Sequence, residues 1–580
     1  MHVQTLFRRT IQLAFACLVL VAPVFAQAPL EPARMPQRTV FYLLWRGTPA
    51  PSVRAANSLL SLWDDPDFAP VRSALVENLL SDSKKSANPK PGPTREEIAQ
   101  YASLLENPFV LGYLPESRGA APATDAAKKK WNGIFFVYDR TGKEALLSKA
   151  VLQLRASEKD IPKVSETTLA GIPVLKVERT SGVTYWAEHG KYAISANEPE
   201  VFEQIASILG GKALSGNSLA ETPAYREAEP LLHGGILEFF LRVPRQSEIA
   251  SAAGPANNKK VEPVLDALKL DSVHSIFGQV TLEGSRTRLT GAVLGEPAPG
   301  TLFDLIGDGQ AAPASLAFVP ADAVSYQESE FSLVSLYTTA KRAFLASQPP
   351  EQQGGAAFIE AMAQAKLGMP LPDALALLTG EFASLQTVPA SDDSKRTIFV
   401  GIHDKAATLK LLHFVLKDQI LSEHERGEAS YLTISLTAKQ PGGSGAPPKL
   451  YHLAVTPSLV LAGSSSQALE EELSRRASAA NSLPSAFRTV RAQFPEKLTG
   501  ISYLDFQKLD WDAIKEKLLE SSSKSVSKSF AQEKSAPVPA IPSSMWLMHV
   551  DPKVFPRHLH VSTSASWKDA KGIHFDGWIE

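Results

Sequence analysis

Cysteine is almost missing from this chain: among 580 residues there is one, Cys17, set inside an apolar run near the start. An internal disulfide is excluded outright, and cleavage of that run would leave a mature chain without thiolate metal ligands or a thiol nucleophile. An excess of cations is missing too. The 59 Lys and Arg face 61 Asp and Glu, for a formal net charge of −2. Neither half is strongly basic, so the clustered positive charge that nucleic-acid binding draws on is not there. Catalytic signatures are equally scarce. The chain has no G-x-S-x-G elbow, no H-E-x-x-H pair and no phosphate-binding P-loop.

What is present is ordinary globular material. Hydrophobic residues make up 44% and charged residues 21%, the values of a folded chain and not of a disordered one or a polytopic membrane protein. The length suffices for about four compact units, or two large ones. At the start, Arg8 and Arg9 precede an apolar run over residues 11–21, and Val24-Phe25-Ala26 offers the small residues that a signal peptidase reads. This predicts a signal peptide over 1–26, cleaved after Ala26, and a proline-containing spacer over 27–37. The mature chain is then cysteine-free and exported, periplasmic or extracellular, with no membrane span.

The remaining sequence states its pattern twice. Pro36, Val40 and Tyr42 return as Pro320, Val324 and Tyr326, each ahead of or within period-2 apolar residues that read as a strand. Phe109-Val110-Leu111 corresponds to Phe382-Ala383-Ser384, and Ile134-Phe135-Phe136-Val137 to Ile398-Phe399-Val400-Gly401. Each of the latter strands leads to a helix. Thr141 with Glu144 predicts a capping box in the first copy and Asp404 a cap in the second. Those helices show Ala150, Val151 and Leu154, and Leu409, Leu412 and Leu416, at the spacing of one buried face. Hairpins follow over 172–177 with 185–187 and over 431–436 with 451–455. Another strand and helix come next, with Asn197 and Ser465 as caps, and then strands from Gly235 and Gly500. Closing strands over 275–282 and 287–294 are matched to segments near 545–550 and 558–563.

Strand groups alternate with single helices, and several connections are too short for a crossover. The predicted class is therefore α+β, with two similar halves, each a mixed or mainly antiparallel sheet with helices packed on it. The first repeat is expected over 38–300, a Gly- and Pro-rich linker over 301–314 and the second repeat over 315–580. Phe318-Val319-Pro320-Ala321-Asp322-Ala323-Val324-Ser325-Tyr326, together with Leu377-Leu378-Thr379-Gly380-Glu381-Phe382-Ala383, resembles a family of uncharacterised exported bacterial proteins grouped as a domain of unknown function. The resemblance is fainter in the first half, where Asn107-Pro108 replaces Gly380-Glu381. It implies export and a repeated α+β build, and it carries no site.

The chemical fragments each have a plainer reading. Gly307-Asp308-Gly309-Gln310-Ala311-Ala312 fits a G-x-G-x-x-A string, but Pro313 follows and no strand feeds it, so it reads as linker. Asp64-Asp65-Pro66-Asp67 lacks the spacing of a calcium loop and reads as a capping turn. Lys128-Lys129-Lys130 and Lys259-Lys260 read as solvated charge in loops. His558-Leu559-His560 is the best metal fragment, since histidines two apart on a strand point to one face and His549 or His574 could complete a zinc site. The matching strand from Arg286 has no histidine. No cofactor, metal or catalytic residue is therefore assigned, and His558 and His560 stand as weak metal candidates.

The sequence thus points to a non-catalytic binding or scaffold protein of the bacterial envelope, with a ligand or envelope protein as its unnamed partner. The alternative is a hydrolase whose Ser, His and acid are dispersed along the chain. That alternative predicts a histidine within hydrogen-bond reach of a serine or carboxylate.

Overall fold

The computed structural model describes residues 29–73, 100, 102–115, 133–149, 163–179, 182–212, 214, 216–247, 255–349, 353–387, 396–436, 449–478, 483–517 and 550–580. The predicted leader, the face of Ala150, Val151 and Leu154, the run Lys128-Lys129-Lys130, and His549 lie outside these residues. Helix and antiparallel strand alternate along the chain, an α+β fold. Among the described residues, no helix is long and apolar enough to cross a membrane. Contacts divide the chain into two compact units, one of residues 1–243, 274–294 and 535–550, the other of 244–273, 295–534 and 551–580.

The first unit is built on strands β1 (Phe41–Trp45), β2 (Phe109–Tyr113), β3 (Ile134–Asp139), β4 (Lys163–Leu169), β5 (Ile172–Arg179), β6 (Gly182–His189), β7 (Tyr192–Ala196), β8 (Leu237–Arg242), β9 (Val273–Glu283) and β10 (Arg286–Gly295). Hydrogen-bonded neighbours run in the order β4-β5-β6-β7-β3-β2-β1-β8-β9-β10. Strand β1 is aromatic and aliphatic throughout because both of its faces are covered. Tyr42 and Leu44 enter one apolar cluster with Phe135, Phe202 and Phe240, while Leu43 and Trp45 enter another with Phe109 and Tyr138. Helix α1 (Pro199–Leu209) covers the former cluster. Proline at its first position suits the helix start, and Val201, Phe202, Ile205 and Ile208 repeat on one buried face.

Two caps expected in this unit are made differently. The N-cap of α1 is Glu198, without a side-chain bond, and Asn197 Oδ1 instead accepts the Gly133 N–H at 2.8 Å. Thr141 forms no capping box; its N–H and hydroxyl both donate to Asp139 Oδ1, at 3.1 and 2.6 Å, so the strand's last acid makes the turn.

The second unit contains β11 (Ser325–Glu330), β12 (Leu378–Gln386), β13 (Arg396–Ile402), β14 (Ile420–Arg426), β15 (Ala429–Leu436), β16 (Lys449–Val455), β17 (Leu459–Gly463), β18 (Gly500–Asp505), β19 (Val561–Asp569) and β20 (Gly572–Ile579). Their order is β14-β15-β16-β17-β13-β12-β11-β18-β19-β20. The closing hairpin is 561–569 with 572–579, so the strand expected over 558–563 begins only at Val561, and residues 545–549 lie outside the described residues. Its helices include α2 (Pro255–Leu268), α3 (Leu333–Ser347), α4 (Gly354–Leu367), α5 (Lys405–Leu416), α6 (Ser466–Ser478) and α7 (Val554–His558). Lys259 and Lys260 thus belong to α2 and not to a loop. Asp404 caps α5 through the Ala407 N–H at 3.0 Å, and Ser465 caps α6 through Ala468 N–H at 3.0 Å.

The core of this unit gathers Phe318, Tyr326, Leu385, Phe399, Leu461, Leu469 and Phe487. Phe399 is fully buried, its ring 5.2 Å from that of Phe318. Phe399→Ala should cost about 3–5 kcal/mol, the transfer loss plus the cavity. Urea unfolding followed by tryptophan fluorescence would show it as a lowered midpoint with an unchanged slope.

Candidate functional site

In the second unit, β11 and β12 place three carboxylates on one face. Glu330 and Glu381 are directly opposed in the ladder, and Glu328, two residues along β11, points the same way. A bulge between Leu378 and Phe382 sets up this arrangement. Gly380 sits there at φ 92°, and a Cβ would come 1.9 Å from the Phe331 carbonyl oxygen. Only glycine fits such a close approach. Glu381 then turns inward and accepts the N–H groups of Ala314 and Ser315 at 3.1 and 2.8 Å. The Ser315 hydroxyl in turn meets the Tyr326 hydroxyl at 2.8 Å.

Glu328 is left without such help. It is 1% exposed, and neither carboxylate oxygen has a hydrogen-bond partner among the described residues. Burial first, then the charges of Glu381 and Glu330, push its pKa up to about 8. It is therefore mostly protonated at neutral pH. Burial also raises Glu330, with Asp308 and Glu381 adding to it. Gly307 and Gly309, the glycines of the G-x-G string, close this corner. A Cβ on Gly307 would come 2.3 Å from Glu330 Oε1, and Gly309 has φ 81°. Gln310 and Leu498 exchange backbone hydrogen bonds beside them, at 2.9 and 3.1 Å. The string is a tight backbone corner over an acid, not a phosphate cradle.

The first unit also buries an acid, Glu238 on β8, but gives it partners. It accepts the Tyr42 hydroxyl, and Arg46 Nη2 lies 3.9 Å away while Arg46 Nη1 binds Glu31 at 2.5 Å. Burial raises the Glu238 pKa, and the Tyr42 hydrogen bond and the Arg46 charge pull against it.

The arrangement nearest to nucleophilic catalysis joins β16 to the start of α6. His452 Nδ1 lies 3.1 Å from Ser466 Oγ and 3.2 Å from Thr433 Oγ1. Ser466 follows a strand and a sharp turn and opens a helix, so its position resembles that of an activated serine. Among the described residues, however, no carboxylate bonds the His452 ring, and the same nitrogen is shared by two hydroxyls. Neither the orienting acid nor a free base nitrogen facing Ser466 is assembled. Other histidines meet acids: His274 with Glu227 at 3.1 Å and His413 with Glu423 at 2.8 Å.

The metal candidates are not on a strand. His558 is the last residue of α7, and His560 precedes β19, its N–H donating to the Glu580 carbonyl at 2.6 Å. The same-face argument for His558 and His560 falls with the strand, because it depended on the two-residue repeat. Among the described residues, no three His, Cys, Asp or Glu gather to hold a metal ion. His574 is buried, stacked on Trp567 with ring centroids 5.3 Å apart. An open hollow of about 450 Å³ lies by Asp322, Thr387, Lys508 and Asp510. Its lysine already binds the Ala323 carbonyl and Asp505, at 3.2 and 3.3 Å.

No family model, curated protein or solved structure matches the chain.

The sequence reading passed over the Glu328 and Glu381 pair. Its signal was there in Tyr326-Gln327-Glu328-Ser329-Glu330, where the acids share the alternation of the apolar Val324 and Tyr326 and not that of the polar positions. Glu328 holds its proton in the folded state between an unfolded pKa near 4.5 and a folded value of about 8. It therefore weakens the fold progressively as pH rises through that window, and below it the penalty vanishes. Glu328→Gln should remove the dependence. Chemical unfolding across pH 4 to 9 should show the variant gaining on the parent up to pH 8, by roughly 2–5 kcal/mol, and level thereafter.

Proposed function

We propose that this chain is an exported, non-catalytic binding or scaffold protein of the bacterial envelope, built from two tandem copies of one α+β unit. The functional part of this reading rests on one observation. Two acids whose pKa values burial raises, Glu328 and Glu238, lie inside their units at 1% and 3% exposure. Perturbed acids serve catalysis when they face a cleft; here they lie in cores.

The duplication is supported by strand order. Each unit runs through its ten strands with the same pairing pattern, the first as β4-β5-β6-β7-β3-β2-β1-β8-β9-β10 and the second with each number raised by ten. Tyr42 pairs with Phe240 and Gly112, as Tyr326 pairs with Tyr503 and Leu385. Both tyrosines are fully buried on the central strand of their unit. Export rests on the basic, apolar and small-residue order of residues 8–26. The likeness of the segments ending at Tyr326 and Ala383 to an uncharacterised exported family belongs to the same proposal.

A second reading is favoured by the Ser466–His452 contact. In a hydrolase this serine would be the nucleophile and this histidine its base. A fluorophosphonate probe separates the two. The binding-protein reading expects no labelling of the folded protein; labelling that Ser466→Ala abolishes would establish the hydrolase instead. Export has its own measurement: the mature protein from the producing cell should have an N-terminal mass beginning at Gln27, and a mature form starting at Met1 would contradict it.

A further inference from the structure

The faces of α4 are reversed. Its inward positions, Ala356, Glu360, Ala363 and Leu367, recur at helical spacing. Ala356 is buried, and Glu360 is held on α3 by Lys341 Nζ at 2.5 Å and by the Tyr337 hydroxyl. The large apolar side chains stand on the outward side instead, with Phe358 66%, Ile359 59% and Met362 46% exposed. The neighbouring α5, which touches α4, does the same with Phe414 and Val415, 52% and 44% exposed. The two faces meet at Gly368, where a Cβ would come 3.1 Å from the Phe414 ring. Leu421 on β14, 61% exposed, follows α5 in the chain. Scattered apolar residues at a surface are ordinary, but six on two touching helices and the next strand mark a contact surface.

On the two helices themselves the exposed charges of these faces are lysines; β14 adds the exposed acids Glu423 and Glu425, of which Glu423 binds His413 of α5 at 2.8 Å. Glu360 is the only acid of α4 and is turned to α3, while exposed Lys366 stands one turn beyond Met362. Residues 405–417 contain no acid, and Lys410, Phe414 and Lys417 share one face at i, i+4 and i+7, both lysines exposed. This runs against the chain as a whole, whose net charge is −2. A second copy docking through this face by a two-fold axis would bring two sets of these lysines into one interface. An anionic bilayer suits the pattern: apolar side chains enter the acyl boundary while lysine stems keep their ammonium groups among the headgroup phosphates.

We propose that the outward faces of α4 and α5 are a docking surface for an anionic lipid bilayer, on which the protein rests peripherally. This stands independently of the export reading. The test is co-sedimentation of the full chain with vesicles of one part phosphatidylglycerol to two parts phosphatidylcholine, against pure phosphatidylcholine. The protein should pellet with the anionic vesicles, stay in solution with the neutral ones, and be released by high salt. Phe358→Ser with Ile359→Ser, and separately Lys410→Glu with Lys417→Glu, should each weaken the binding roughly tenfold or more. These side chains are exposed, so an unchanged thermal melt shows that the variants fold. Wild-type protein that stays in solution with anionic vesicles would overturn the proposal. So would folded variants that bind as well as the parent, or a dimer in sedimentation equilibrium that the Phe358→Ser, Ile359→Ser variant dissolves.

Discussion

Each unit depends on a central strand that is covered on both faces. β1 lies between β2 and β8, and β11 between β12 and β18. A strand in that position must either be apolar throughout or supply every polar group it carries with a partner, because an unpaired polar group in a core costs more than a packed apolar one returns. Phe41–Trp45 takes the first course. Ser325–Glu330 takes the second only in part. Tyr326 has the Ser315 hydroxyl, whereas Glu328 stays neutral by keeping its proton.

That difference explains local features that otherwise look unrelated. Gly380 is needed for the bulge that aims Glu381 inward; Gly307 is needed because a side chain there would strike Glu330. Ser315 is fully buried because it closes the chain of bonds from Glu381 to Tyr326. The L-T-G-E-F-A segment is thus a structural device: the glycine permits the turn and the glutamate caps the backbone of 314–315. A signature of this kind marks how a core is closed, and says nothing of a substrate.

The two surfaces that carry functional proposals obey opposite physics. At His452, polar groups converge but, among the described residues, lack the carboxylate that would organise them, so the contact is accounted for by mutual hydrogen bonding. On α4 and α5, polar groups are sparse and apolar ones face out, which a folded chain tolerates only where something else covers them. The pattern there is cationic at its edge, and this directs the proposal to a phosphate-bearing surface.

Much of the architecture was legible in the residues. Period-2 runs marked β1, β3 and β11, the hairpins around β5 and β15 followed from their turns, and Asp404 and Ser465 announced helix starts. These are local properties, set by the alternation of side chains and by orphan N–H groups at a helix end. Long-range placement was not legible. Thr141 and Asn197 look like caps in sequence, but Thr141 turns back to Asp139 two residues before it, and only Asn197 is claimed by a distant group, the Gly133 N–H. His558 and His560 lost their common face when the strand began at Val561. Glu328 shares the alternation of Val324 and Tyr326, but its burial follows only from the strands paired on either side of β11. Sequence by itself determined element type and the apolar rhythm, since both follow from neighbours a few residues apart. Tertiary structure alone decided which acids are buried and which helix face is left bare, since burial depends on segments beyond the local chain, as β12 and β18 are for Glu328.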